Sequence, residues 1–282
     1  MLMLMYAPLY QFMEDGHSIT RYESWAPCGV VRLEIMKMEF YKVLNVDGSC
    51  YHGGVGSWLL PVGGEPGAWM PEIVGELKPC ARGYHVLKLD QLVRWLGPAI
   101  FKVEVAGTGI EQSDKYVYRK ARLLRKLEPW NAKSARLFAC DCAEHVLPIF
   151  ESAFPNDKRP HTAIEVARKF ANGEATQQEL NAAASDAFDA ARFAASGAFD
   201  AARDAARATR DAARAADDAF DAARDAARFA ARGAFDAASF ADTADDAADA
   251  ARDAARATRD AARAAEIQWQ TALLARIIEL KD

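Results

Sequence analysis

The sequence has no hydrophobic run of the roughly 18 residues that a membrane-spanning helix needs. Its apolar start, residues 1–13, has no lysine or arginine before the apolar stretch, so it lacks the basic region of a signal peptide. Cysteine is scarce, because the 282 residues contain five, at scattered positions. An odd, scattered set is typical of reduced thiols and not of a disulfide framework. These absences predict a cytoplasmic protein without a membrane segment.

A strong excess of either charge is also absent, since the net charge is −5 at pH 7. Nucleic acid is therefore a disfavoured partner for the molecule as a whole. Hydrophobic residues make up 51% of the chain, but many are alanines, which bury little surface each. Proline is missing from residues 176–280, where only Gly197 and Gly233 interrupt strong helix formers. This part of the chain is predicted to be helical.

Composition divides the chain into three regions. Residues 1–37 are interpreted as an N-terminal extension, residues 38–130 as a small α+β recognition domain and residues 131–282 as a helical domain with internal repeats from about residue 176. The predicted fold class is α+β. We expect a small mixed α/β N-terminal domain followed by an alanine-rich, all-α helical hairpin or bundle.

Within the recognition domain, residues 39–46 have β-type composition and residues 87–96 have helical spacing. Residues 100–106 alternate between apolar and charged side chains, which predicts a half-buried strand. Residues 115–127 begin as another strand.

Local signals mark several helix ends in the C-terminal region. Asn131 is a candidate cap for a helix through Leu147, which Pro148 is expected to kink or end. Pro160 suits the first turn of the next helix. Residues 176–179, Thr-Gln-Gln-Glu, form a capping box at the start of the alanine-rich array.

The array is built from internal repeats. Residues 201–216 recur unchanged at residues 250–265, and the unit is Asp-Ala-Ala-Arg. Its aspartate and arginine are three residues apart, so they are neighbours on a helix and can pair. Projected onto a helix, the charges of residues 189–236 fall within a stripe of roughly 160°, opposite an alanine face. We expect the charged stripe to be solvated.

The alanine face is predicted to be the packing surface, because small side chains let helices approach closely. Ala205 and Ala212 project near its middle, whereas Ala226 lies near the charged stripe and is expected to face solvent. The charged stripe changes phase near residues 239–246, where a turn is predicted. Further turns at Gly197 or Gly233 stay open.

The last helix, residues 266–280, differs from the array because it carries large apolar residues. One stripe consists of Trp269, Leu273, Ile277 and Leu280. We expect it to anchor the array against the helix that contains residues 137–150.

Two stretches resemble known families. Residues 40–131, with the pieces FYKVLN, GELKPCARGYH and LVRWLGP, resemble an uncharacterised domain of phage and bacterial proteins. Residues 130–173, with RLFACDCAEHVLPIFE and AIEVARKFANGE, together with the alanine-rich array, resemble immunity proteins of bacterial toxin systems. These resemblances imply a binding protein in phage–bacterium or toxin–immunity conflict. They supply no catalytic residue.

A basic segment, residues 115–126, is the strongest candidate for anion binding. Its cations are Lys115, Arg119, Lys120, Arg122, Arg125 and Lys126, with no acid among them. Tyr116 and Tyr118 interleave with the cations, which fits phosphate contacts combined with stacking. The alternative is an edge strand that charge protects from pairing.

Residues 51–53, Tyr-His-Gly, resemble the strand motif at the nicotinamide site of ADP-ribosyl-transferring enzymes. That chemistry would also need a glutamate, for which Glu104 and Glu111 are the candidates. The alternative is a pocket around His52 that binds a nucleotide without transforming it.

Two cysteine clusters have a functional and a structural interpretation. Cys80 and His85 could form a nucleophile pair, or they could shape a turn at Gly83. Cys140 and Cys142, near His145, suggest a metal site. On a helix they lie about 200° apart, so burial of small residues is favoured over metal binding.

We therefore predict a non-enzymatic protein that binds a protein partner or a small anionic ligand such as a nucleotide. The alternatives are a nucleotide-binding or ADP-ribosyl-transfer-like enzyme in the N-terminal domain, and a structural module that forms homo-oligomers through its alanine-rich helices. No cofactor, metal or catalytic residue is assigned. The candidate ligand-binding residues are His52, Tyr84, His85, Lys115, Tyr118, Arg119, Arg122 and Arg125.

Overall fold

The computed structural model describes residues 18–20, 35–196, 200–213, 219–239 and 249–279. In these ranges the N-terminal part of the chain forms small antiparallel sheets, and the part after residue 131 is helical. The predicted α+β class is confirmed, and the helices pack as a bundle.

The strands of the described residues have two to eight residues. They are β1 (Ser18–Thr20), β2 (Ile35–Lys37), β3 (Phe40–Leu44), β4 (Tyr84–Val86), β5 (Ala99–Ala106), β6 (Ile110–Glu111), β7 (Tyr116–Tyr118) and β8 (Lys120–Lys126). Helix α1 (Leu89–Leu92) continues into a 3-10 turn, Val93–Trp95, before β5. Strand β1 pairs with β2, and the other two sheets have the orders β3-β5-β8 and β4-β7-β6.

The predicted alternation is confirmed in β5, where Phe101 and Val103 are buried while Lys102 and Glu104 are partly exposed. Residues 115–127 do not form a single strand. Strand β7 pairs with β4 and β6, whereas β8 pairs with β5. The chain changes sheets at Arg119, whose guanidinium donates to backbone carbonyls of a neighbouring loop.

That loop also covers β8. Backbone amides of residues 67, 70 and 73 donate to carbonyls of residues 123, 121 and 119, with N···O distances of 2.9 to 3.0 Å. The outer side of β8 is therefore paired with chain and is not an open edge that needs protection by charge.

The sheets join the bundle at a buried tryptophan. The indole of Trp130 donates to the carbonyl of Gly97 at 2.8 Å and packs edge-on against Phe138. Asn131 then caps α2 as predicted, because its side chain accepts from the amides of residues 133 and 134. The helix continues past Pro148 to residue 153, so of the two expected outcomes, a kink or an end, the end is wrong. Phe150 is fully buried and anchors this last part of the helix.

The bundle consists of six helices in the described ranges. They are α2 (Ala132–Ala153), α3 (Arg159–Ala171), α4 (Gln177–Ser196), α5 (Asp200–Ala213), α6 (Ala219–Ser239) and α7 (Asp249–Glu279). Pro160 lies in the first turn of α3, and the capping box of Thr176 and Glu179 begins α4, as predicted. None of the helices in the described residues is long and apolar enough to span a membrane.

Helix α5 lies at the centre of the array, in contact with α2, α3, α4 and α6. Because α4, α5 and α6 pack side by side, the array folds back more often than a two-armed hairpin would. The predicted turn at residues 239–246 lies almost entirely outside the described residues, but α6 and α7 do pack against each other. Gly233 lies within α6 and causes no turn.

The expectation of a fully solvated charged stripe is wrong. Asp204 and Asp211, both on α5, are buried. Ala226, expected to face solvent, is also fully buried, as Ala205 is. The physical reason is that a central helix has neighbours on most of its circumference, so part of its charged stripe meets other helices instead of water.

The two copies of the repeat have different surroundings. In α5, Ala208, Asp211 and Ala212 are buried, whereas the identical positions of the second copy on α7, Ala257, Asp260 and Ala261, are exposed. The same thirteen-residue sequence therefore forms part of a core helix at residues 201–213 and part of a surface helix at residues 250–262.

The C-terminal part of α7 anchors the array on α2, as predicted. Trp269 stacks flat on His145, with ring centroids 3.9 Å apart. The most buried stripe differs from the predicted one, because it runs through Glu266, Gln270, Leu274 and Ile278. The burial of Glu266 is compensated by a hydrogen bond from Gln270 and by a contact with His145 at 2.6 Å.

Candidate functional site

A cleft of about 290 Å³ lies in the N-terminal domain, where β3 and β4 approach the loop that follows β3. Its walls combine apolar and cationic side chains. They are Lys42, Val43, Cys50, Tyr51, His52, Gly53, Gly54, Cys80, His85, Leu87, Trp95 and Lys115. Three of the predicted ligand-binding residues, His52, His85 and Lys115, are thus brought together.

Lys42 lies in the middle of β3, and its amine is 5.3 Å from the centre of the Trp58 ring. Burial lowers the pKa of Lys42, and the nearby Cys50 opposes this shift. Among the described residues no carboxylate lies within ion-pair distance of this amine. The sequence analysis missed Lys42, although it is the charged residue in an otherwise apolar and aromatic strand.

Cys80 forms one rim of the cleft. It has φ 63°, a left-handed conformation that is uncommon outside glycine. Its backbone amide donates to Nε2 of His85 at 2.9 Å, which leaves the proton of a neutral His85 on Nδ1. This contact agrees with the structural interpretation of Cys80 and His85 as parts of a turn.

Burial lowers the pKa of His85, and the positive charges of Lys42 and Lys115 lower it further. Burial also disfavours the charged form of Lys115, but hydrogen bonds with Asp114 and Cys80 outweigh it and raise the pKa of this amine. The positive charges beside His85 therefore come from the two lysines, Lys42 and Lys115.

His52 closes the cleft on the side of the bundle. Its Nε2 contacts the carbonyl of Trp95 at 2.7 Å, and burial lowers its pKa. The neighbouring Tyr51 donates its hydroxyl to Asp221 of α6 at 2.9 Å, and Asp221 pairs with Arg224 at 2.5 Å. The wall of the cleft is thus attached to the helical bundle.

The other predicted ligand-binding residues lie outside the cleft lining. Tyr84 donates its hydroxyl to the carbonyl of Pro71, and Tyr118 is buried between the sheets. Arg119 binds loop carbonyls, Arg122 pairs with Glu104 at 2.6 Å, and Arg125 lies opposite residue 102 in the sheet. The basic segment is therefore not one continuous surface, because its two strands belong to different sheets.

The glutamates considered for transferase chemistry also lie outside the cleft lining. Glu104 is held by Arg122, and Glu111 by the hydroxyl of Tyr116. The described residues lining the cleft include no carboxylate.

The second cysteine cluster is buried in the bundle. Burial raises the pKa of Cys140 to about 12 and also raises that of Cys142. His145 faces Glu266 and Trp269 instead of the thiols. No group of three His, Cys, Asp or Glu side chains in the described ranges could hold a metal ion.

A second surface of interest lies on α4, where two large aromatic side chains are exposed. Phe188 is 43% exposed and Phe193 is 58% exposed. The guanidinium of Arg192 lies over the Phe188 ring at 5.9 Å, and Phe193 packs edge-on against Phe154 at 5.5 Å. We call Phe188, Arg192 and Phe193 the α4 surface.

Comparison with known proteins identifies one similarity. Residues 125–208 match the family described as "Imm-5 like putative immunity protein". The match spans the end of β8, helices α2 to α4 and the first part of α5. It supports the resemblance of the helical part to immunity proteins. Searches of curated proteins and of solved structures found no match.

Proposed function

We propose that this chain is an immunity-type protein whose helical bundle binds and neutralises a protein toxin. The observation that carries the proposal is the family match over residues 125–208. The matched residues are central to the bundle, because α2 contacts α3, α5, α6 and α7. The matched segment is therefore the framework on which the remaining helices are assembled.

The α4 surface is the contact that we assign to the toxin. It lies within the matched residues, and it combines two exposed phenylalanines with an arginine. Aromatic and arginine side chains are enriched in protein interfaces, and arginine is common among the few residues that dominate the binding free energy. A hollow beside it, lined by Phe154, Pro155 and Phe193 among others, offers a recess for an apolar side chain of the partner.

Four cysteines in the described residues, Cys50, Cys80, Cys140 and Cys142, are free thiols. Free thiols persist in a reducing compartment. We therefore place the encounter with the toxin in the cytoplasm.

An immunity protein has to be made together with its toxin, so the probe is the protein encoded next to this chain's own gene. It is expressed in bacteria with and without the chain. Restored growth, together with a complex of the two proteins on size-exclusion chromatography, is the expected result. Unchanged killing and no complex would contradict the proposal.

Phe193→Ala then tests the surface. Loss of an interface anchor typically costs about 2 kcal/mol or more, which is about thirtyfold in Kd. The matched control is Leu59→Ala, which removes another exposed apolar side chain, 48% exposed, in the N-terminal domain. If the two substitutions weaken toxin binding equally, the toxin does not contact the α4 surface.

A further inference from the structure

The cleft of the N-terminal domain has lysine amines in its described lining but no carboxylate. Two lysines and two histidines line it, and the lining described above includes no aspartate or glutamate. Two acids that contact lining residues are engaged there, since Asp114 pairs with Lys115 at 3.2 Å and Asp221 accepts from Tyr51. We propose that this cleft is a binding site for a small phosphate-bearing ligand, held between Lys42 and Lys115.

Lys42 provides the main reason. The Lys42 side chain is partly buried, and a desolvated ammonium costs free energy unless an opposite charge or several acceptors compensate for it. Here the compensation within the described residues is limited to the face of Trp58 and the thiol of Cys50. A bound phosphate would supply the missing countercharge, so the same burial that disfavours the free amine favours the complex.

Lys115 provides the second contact. Its amine lies over the Trp95 ring at 5.3 Å and contacts both Asp114 and Cys80. An ammonium has three donors, so one remains for a ligand while these two contacts persist. His52 is less suited to the phosphate, because its Nε2 is engaged by the carbonyl of Trp95.

The size and walls of the cleft select the class of ligand. A volume of about 290 Å³ is at the lower end of the range for small-molecule sites, which suits one phosphate group with a small organic part. Val43, Leu87 and Trp95 supply the apolar wall against which the organic part would pack. This ligand site is separate from the α4 surface, so it does not depend on toxin binding.

Isothermal titration with inorganic phosphate and with AMP tests the site, and adenosine serves as the uncharged comparison. We expect saturable binding of AMP or phosphate and none of adenosine. Stronger binding of AMP would identify an organic phosphate as the ligand, whereas equal binding would identify the free ion. Absence of saturable binding of both anions at millimolar concentrations overturns the proposal.

The variants Lys42→Gln and Lys115→Gln locate the binding. Each should weaken it at least about tenfold, because each removes a charge-assisted hydrogen bond. The matched control is Lys120→Gln on β8, whose amine lies over the Trp69 ring at 5.4 Å, outside the cleft lining. If all three variants weaken binding equally, the binding is nonspecific electrostatic attraction. That result overturns the proposed site.

A second readout needs no variant, so it holds even if Lys42→Gln fails to fold. Cys80 lines the cleft and is exposed, so neutral iodoacetamide should alkylate it in the native protein. Bound AMP or phosphate should slow this alkylation, which mass spectrometry of the peptide measures. An unchanged rate at saturating ligand would place the ligand elsewhere and overturn the proposal.

Discussion

Asp204→Asn should destabilise the bundle much more than Asp200→Asn, although each aspartate begins an Asp-Ala-Ala-Arg unit. The Asp204 side chain is 0% exposed, and its Oδ1 lies 3.1 Å from Arg207 and 3.4 Å from Arg203. Its Oδ2 lies 2.7 Å from the Nε of Arg232 on α6, as an ion pair that joins two helices.

The expected loss of stability depends on how exposed the three arginines that contact Asp204 are. Removing one member of a buried ion pair typically costs about 3–5 kcal/mol, because the other charge is left buried. The three arginines here are 20%, 34% and 58% exposed, so water can hydrate them again. We therefore expect about 2–3 kcal/mol for Asp204→Asn.

The control has the same chemistry without the burial. Asp200 pairs with Arg203 at 2.5 Å, but its side chain is 60% exposed. Exposed pairs contribute about 0–1 kcal/mol, so Asp200→Asn should change the stability little. Urea unfolding followed by circular dichroism at the helical band compares the midpoints. Equal midpoint shifts for the two variants would refute the argument that burial decides the contribution of the repeat's charges.

Four further outcomes are expected. Ala205→Leu should destabilise the bundle by about 1–3 kcal/mol through overpacking, whereas Ala182→Leu on the exposed side of α4 should not; equal thermal midpoints would contradict close packing at alanine. Gly83→Ala should lower the free energy of unfolding by about 1–3 kcal/mol, because φ at Gly83 is 137° and an added Cβ would overlap a methyl group of Val117 on β7. An unchanged midpoint of urea unfolding would contradict this expectation. Burial raises the pKa of Cys140 from 9.0 to about 12, so the unfolded state loses this thiol proton first and the free energy of unfolding should fall as pH rises through that range. Native alkylation at pH 8 or so should accordingly reach Cys80 before Cys140, and the reverse order would be inconsistent with the burial.

Local features of the fold could be predicted from the sequence. The caps at Asn131 and Thr176 and the alternation in β5 depend on residues within a few positions of one another. The burial of Asp204 could not be predicted in this way, since Asp200 has the same local pattern. The difference arises from the helices that pack around α5, and one of the contacts is with Arg232, 28 residues away in the sequence on α6.

The candidate site was predictable in part. His52, His85 and Lys115 were identified from their residue types, and they meet in one cleft because β3, β4 and the 3-10 turn converge there. Grouping Lys115 with Arg119, Arg122 and Arg125 by sequence proximity was misleading, since the chain changes sheets between them. Proximity along a strand predicts a shared surface only while the strand stays in one sheet.

The repeat that occurs in both α5 and α7 has a consequence for how such an array can evolve. A segment that is compatible both with water and with a packed interior can be duplicated or deleted without exposing a strongly adhesive surface. Its alanines fit beside a neighbouring helix when one is present, and its Asp–Arg pairs keep it soluble when none is. Gene duplication can therefore lengthen the array first, and later substitutions in the copy can adapt it to a new partner.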